Sequence, residues 1–240
     1  VDWTAALASP FEATLTAYGY EVSSLARSLH YPLDVGGAID GAVVMTGSPA
    51  VPRIDVAASV EPREGARFVL PSLRLEGTYE AGEFRVAQME LRGDIDADIS
   101  AAVPVQISLV DGIRVMRDVP LAVDMTIRRP DRAVKLGRYW RRVNVWRGGF
   151  HGRVSVRGTI NEPRLGGELS MDNAEIQVAG MVETFRDVSA RVSFVDNVAQ
   201  LTTLSANSNG GGSLRASGSV RLDGWSPTGY RIDVFLHDLW

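Results

Sequence analysis

Three histidines, a triplet of alternating aspartates, a glycine-rich loop and one arginine–tryptophan stretch are the places where residue type and spacing could do chemistry. His30, His151 and His237 stand far apart and form no ligand motif, so each reads as a solvated or loop histidine. Asp94, Asp96 and Asp98 alternate with Ile95, Ala97 and Ile99. Three carboxylates on one strand face could bind Ca²⁺, but no calcium-loop spacing accompanies them, and a polar outer face accounts for the alternation. "NSNGGGS" (207–213) is followed by no Gly-Lys-Ser/Thr, which leaves a hairpin turn rather than a phosphate loop. "GRYWRRVNVWRGG" (137–149) interleaves Arg138, Arg141, Arg142 and Arg147 with Tyr139, Trp140 and Trp146. Such mixtures stack on bases, sit at membrane interfaces or contact lipid phosphates. The alternative is a basic loop whose aromatics pack on the fold. No Ser–His–Asp order and no acid pair at helical spacing stands out, so the chain is not read as an enzyme and implies no cofactor and no metal.

Composition narrows the classes further. The chain has 240 residues, 45% of them hydrophobic, which is ample for a core, and a net charge of −4, which leaves no basic footprint for nucleic acid. It has no cysteine, which excludes disulfides, thiolate metal sites and a cysteine nucleophile. That absence fits a compartment where stray thiols are a liability, such as a bacterial periplasm. No stretch approaches the 18 or so consecutive apolar residues of a transmembrane helix. The opening "VDWTAALASP" has no Met, no charged leader and no apolar signal core, and is read as part of a longer protein.

The elements that must position any site are strands. Leu121, Val123, Met125 and Ile127 alternate with polar or small residues, as do Leu165, Gly167, Leu169 and Met171, then Val188, Ala190, Val192 and Phe194, then Leu214, Ala216, Gly218, Val220 and Leu222. Successive strand side chains point to opposite faces, so each run has one apolar and one polar face. "YEAGEF" (79–84) and "FVDNVA" (194–199) are expected to be tight hairpins. Helical expectation is confined to "VSSLARSLH" (22–30) and "DRAVKLGRYW" (131–140), where Leu25/Leu29 and Leu136/Trp140 are four apart.

The chain also repeats itself. Gly41, Gly47 and Pro52 recur as Gly152, Gly158 and Pro163, a displacement of 152 − 41 = 111. Residues 73–91 match 188–206 at a displacement of 188 − 73 = 115, so four extra residues would be loop. Strand starts are expected near Phe11, Leu121 and Ile232. The organisation expected is a first β-repeat module over 1–120, a second over 121–231, and the start of a third over 232–240. An antiparallel meander with one apolar face must hide that face in a sandwich, a barrel, or a sheet curled on itself. Small residues at inward positions (Ala97, Ala101, Gly167, Ala190, Ala216, Gly218) either leave room in a groove or let two sheets approach.

The phrase "GGFHGRVSVRGTINEPRLGGELSMDNAEIQV" (148–178) resembles bacterial TamB and its AsmA-like relatives, through Gly158-Thr159, Pro163, Gly167-x-Leu169 and Asn173-Ala174. Residues 188–224 resemble the following strands of that family, with Gly211, Gly212, Gly218 and Val220 in the returning strand; 118–127 resembles the opening of a module. The first copy departs: Pro49 is an added proline, and "EPREGARFVLP" (61–71) replaces the Gly-x-Leu…Asn-Ala step.

The resemblance implies an all-β, elongated, curled antiparallel meander forming a U-shaped hydrophobic groove, with one or two short helices. It implies a periplasmic segment of an inner-membrane-anchored protein that carries phospholipid toward the outer membrane and is linked to outer-membrane protein assembly. A TamA- or BamA-like barrel partner would engage other parts of the parent chain. The residues expected to line the groove are Val154, Val156, Leu165, Leu169, Met171, Val188, Val192, Phe194, Leu214 and Val220. Those expected to contact head groups or a partner are Arg138, Trp140, Arg141, Arg142 and Trp146. The competing expectation is a scaffold: a β-repeat spacer, or a cradle for outer-membrane proteins, without lipid transport.

Overall fold

A computed structural model describes residues 9–24, 35–63, 68–69, 71–93, 96–129, 143–178 and 183–238. The chain is an all-β antiparallel meander, as the alternation requires. The one described helical stretch is Val22–Ser24, at the start of the first expected helix; the second, 131–140, lies outside the described residues. No helix among the described residues is long and apolar enough to cross a membrane.

The chain divides into two compact units, Val1–Val123 and Asp124–Trp240. In the first, β1 (Phe11–Glu21), β2 (Val35–Gly47), β3 (Pro52–Pro62), β5 (Ser72–Glu80), β6 (Glu83–Arg92) and β7 (Asp96–Ser108) lie side by side in that order. Two short strands stand off this path: β4 (Phe68–Val69) runs parallel to β2, and β8 (Gly112–Val115) folds back on β7. In the second unit the order is β9 (Ala122–Arg129), β10 (Val143–Gly158), β11 (Pro163–Val178), β12 (Thr184–Val195), β13 (Val198–Ser208), β14 (Ser213–Asp223) and β15 (Ser226–His237). The sheet of each unit is open and uncurled, so its apolar side is a face rather than an enclosed groove.

The repeated phrase is one hairpin built twice. Gly47 faces Pro52 across the β2–β3 turn, and Gly158 faces Pro163 across the β10–β11 turn. Both glycines are left-handed, at φ +93° and +89°, where a side chain is strained. Both prolines are fully buried and begin a strand, the place where a residue without an N–H costs the ladder least. A hydroxyl closes each loop: Ser48 Oγ accepts from Val51 N–H (3.3 Å), and Thr159 Oγ1 accepts from Glu162 N–H (2.9 Å).

The expected hairpins also form. Glu80 pairs Glu83 around Ala81 and Gly82 (φ 50° and 87°), and Val195 pairs Val198 around Asp196 and Asn197 (46° and 62°). Two successive positive φ values match the right-handed twist of the flanking strands. Asn197 ties its turn to a neighbour: its Nδ2 donates to Pro163 O (2.7 Å) and its Oδ1 accepts from Leu165 N–H (3.0 Å).

Two details differ from expectation. Ile232 is not a strand start but lies inside β15. The first copy leaves its strand at Pro62, whereas β11 continues to Val178 through a bulge at Asn173 (φ 51°). The first copy, which lacks the Asn-Ala step, has no such bulge in β3.

Candidate functional site: a registered apolar face

Strand register decides which residues share a face, because a slip of one residue would invert every side chain. In the second unit Phe150 lies opposite Met171, Met171 opposite Ala190, Ala190 opposite Leu204, Leu204 opposite Ala216, and Ala216 opposite Val234. A second row runs Gly152, Leu169, Val192, Leu201, Gly218, Ile232, and a third runs Val154, Gly167, Phe194, Ala199, Val220, Tyr230. Each row crosses six strands without a charged side chain.

The ten residues expected to line a groove share this open face; no groove encloses them in the uncurled sheet. Leu169, Met171, Val192, Phe194, Val154 and Val220 belong to the rows above; Val156 pairs Leu165 beside them, and Val188 and Leu214 lie toward the other strand ends, opposite Ala174 and Ala206. Its tightest part is the cluster of Met171, Ala174, Val188 and Ala206, with Phe150, Ile176, Phe185, Ala190, Leu204 and Leu214 packed around it. Val188 is 2% exposed and Ala174 fully covered, whereas every residue of β15 is exposed. Burial thus fades along the rows toward β15.

Ala174, Ile176, Phe185, Leu204 and Ala206 belong to this face but escape a period-two reading, whereas Phe150 is in phase with Gly152 and Val154 and extends their run. Bulges shift the phase between Met171 and Ala174, between Arg186 and Ser189, and between Leu201 and Leu204. The signal for two of them is in the sequence: Asn173 and Asp187 interrupt their strands and adopt φ 51° and 52°, values that Asn and Asp tolerate best after glycine.

The first unit has an apolar face of its own, built in the same way. Its rows include Ala13, Met45, Ile54, Tyr79, Phe84, Val103 and, alongside, Leu15, Val43, Val56, Gly77, Val86, Ala101. Tyr79 is buried and spends its hydroxyl on Ile107, accepting from the N–H (2.9 Å) and donating to the carbonyl (3.2 Å). An apolar face thus keeps a phenol without leaving its polar atom unsatisfied.

The glycines of these rows do not leave room. A Cβ on Gly152 would stand 2.3 Å from Glu168 O, on Gly167 2.1 Å from Arg153 O, and on Gly218 2.3 Å from Arg231 O. The adjacent strand's backbone fills the space, so glycine permits close approach within one sheet.

Charge is confined to the opposite face. Arg53 pairs with Asp55 and Glu80, Arg92 with Glu90 and Asp98, Arg157 with both oxygens of Asp124, and Arg191 with Glu168. Hydrogen bonds from Arg53 and Thr78 hold the Asp55 carboxyl below its ordinary range, and Asp55 in turn raises Arg53. An open depression of about 840 Å³, lined by Asp124, Arg128, His151, Arg153 and Glu168 among others, also lies on this polar side. That depression therefore lies on the face opposite the apolar rows.

Asp98 is used by Arg92, and Asp96 accepts from Gly93 N–H (3.2 Å); Asp94 lies outside the described residues. Among the described residues no three His, Asp or Glu side chains form a metal-binding group. His151 stands beside Asp172, and His237 beside Asp238. Arg138, Trp140, Arg141 and Arg142, and His30, lie outside the described residues; Trp146 is in β10, opposite Ile176. No protein-family model, no curated protein and no solved structure matches this chain.

Proposed function

We propose that the apolar face holds phospholipid acyl chains, and that the chain is a non-enzymatic segment of a TamB-like, periplasmic lipid conduit. The observation that carries this reading is the register: apolar rows cross six strands on one face while the ion pairs occupy the other. At about 4.8 Å between strands, five steps give a row about 24 Å long. One leaflet of a bilayer is about 15 Å of hydrocarbon, so a row is longer than one acyl chain lying across it. Each methylene removed from water contributes about 0.8 kcal/mol, and successive rows of similar character give similar binding. A lipid could then move from row to row without a deep trap. Head groups would stay in water beyond the face, and a TamA- or BamA-like barrel would engage the parent protein elsewhere.

Native mass spectrometry of the protein purified from a bacterial host, with lipid extraction of the same sample, tests this. Phospholipid is expected at more than one copy per chain. It should be lost in the Leu169→Asp, Leu214→Asp double variant, whose fold is checked by circular dichroism. A folded, lipid-free wild-type chain would refute the lipid reading and leave a β-repeat spacer or cradle for outer-membrane proteins.

A further inference from the structure

The polar depression of the second unit is lined from three neighbouring strands, by Asp124 and Arg128 of β9, Arg153 and Ser155 of β10, and Glu168 and Ser170 of β11 among others. Its volume of about 840 Å³ is that of a site for a small organic molecule. Both carboxylates already have a cation. Asp124 holds Arg157 with both oxygens (2.7 Å each), and Glu168 pairs with Arg191 (2.9 Å); neither arginine lines the depression. Arg153 lies directly opposite Glu168 in register yet forms no ion pair with it, and Arg128 has no ion-pair partner among the described residues. His151, also in the lining, stands beside Asp172 (3.9 Å). Two guanidinium groups thus share one depression whose negative charge is already matched, and an anion between them would relieve their repulsion.

The repeat shows that the fold does not require these charges. At the displacement of 111, Arg153 opposite Glu168 corresponds to Ala42 opposite Ala57 in the β2–β3 hairpin, which closes with the same Gly–Pro turn. The same hairpin therefore forms with two alanines where the second copy carries an arginine and a glutamate.

We propose that this depression binds the phosphate ester of a small polyol. Arg128 and Arg153 hold the phosphate, since a guanidinium offers paired N–H donors that match its oxygens. The carboxylates of Asp124 and Glu168, charge-balanced by Arg157 and Arg191, accept from the hydroxyls of the polyol. Ser155 donates its own hydrogen to Gly166 O (3.4 Å) and is left as a further acceptor. A bare inorganic anion would leave these acceptors unused. The site lies on the face opposite the acyl-chain rows, so it does not rest on the lipid reading. A free polyol phosphate and a glycerophosphate head group at a membrane surface offer the same chemistry.

Calorimetric titration of the full chain with glycerol 3-phosphate at low ionic strength tests it. One saturable site per chain is expected, with weaker binding of inorganic phosphate and none of glycerol. Arg128→Gln and Arg153→Gln should each weaken binding about tenfold or more, with the fold checked by circular dichroism. Arg164→Gln should leave binding unchanged, because Arg164 is on β11 but outside the lining. Co-sedimentation with phosphatidylglycerol vesicles separates the two sources. Vesicle binding that falls in Arg128→Gln and Arg153→Gln assigns the phosphate to a membrane head group. Vesicle binding indifferent to them, beside arginine-dependent binding of glycerol 3-phosphate, assigns it to a soluble ester. Three results would each overturn the proposal: neither probe binding in a way that depends on Arg128 and Arg153, an equal loss in Arg164→Gln, or inorganic phosphate binding as tightly as the ester.

Discussion

Replacing Val188 with alanine tests whether the apolar face is closed at its centre and open at β15. Val188 is 2% exposed and packs with Met171, Ala174 and Ala206. The change removes two methyl groups, worth about 1.6 kcal/mol at about 0.8 kcal/mol each. It leaves a cavity of roughly 50 Å³ which, at about 24 cal/mol per Å³, adds up to about 1.2 kcal/mol if nothing relaxes. The expected loss is therefore about 2–3 kcal/mol. Val234 sits on the same face in β15 but is 52% exposed, with room for water where its methyls end. Val234→Ala should cost under about 1 kcal/mol, because half of the transfer and all of the cavity contribution vanish. Urea unfolding of the full chain by far-UV circular dichroism, at protein concentrations where it is monomeric, measures both. Val188→Ala should lower the midpoint of its transition by about 1 M, and Val234→Ala by a third of that or less. Equal losses would refute the gradient of burial from the Val188 cluster to β15.

Gly167→Ala should destabilise the chain by more than about 2 kcal/mol, because the new Cβ meets Arg153 O at 2.1 Å and φ is +118°, whereas Gly229→Ala should be near neutral; paired denaturation curves compare them. Asp55 should titrate below its ordinary value of 3.8, followed by carboxyl NMR shifts. Its folded pKa is depressed, so its contribution is present above the unfolded value and is lost as pH falls through the folded one. Asp55→Asn should accordingly flatten that part of the acid limb, and Arg53→Gln should bring the Asp55 pKa back toward 3.8.

Much of this was legible in the amino-acid order. Alternation in runs such as Val188, Ala190, Val192 and Phe194 dictates strands with one apolar face, because side chains of a strand alternate whatever its neighbours are. Gly47 with Pro52 and Gly158 with Pro163 mark two equivalent turns, because left-handed φ and a missing N–H are local demands. Asp196-Asn197 marks its hairpin for the same reason.

Other features follow only from pairing. Leu201 and Leu204 are three apart and look out of phase; the bulge that puts both on the apolar face exists only against β12 and β14. Gly167 and Gly218 look like empty space until the carbonyls of Arg153 and Arg231 are placed beside them. Nor does alternation set curvature: the open, uncurled form of each unit's sheet is seen only in the assembled strands. Val188 and Val234 show the division most simply. Each has the residue type of an inward strand position, so sequence places both on the apolar side. How deeply each is buried is a property of the assembled sheet: Val188 packs with Met171, Ala174 and Ala206, whereas Val234 lies on β15, which is exposed throughout.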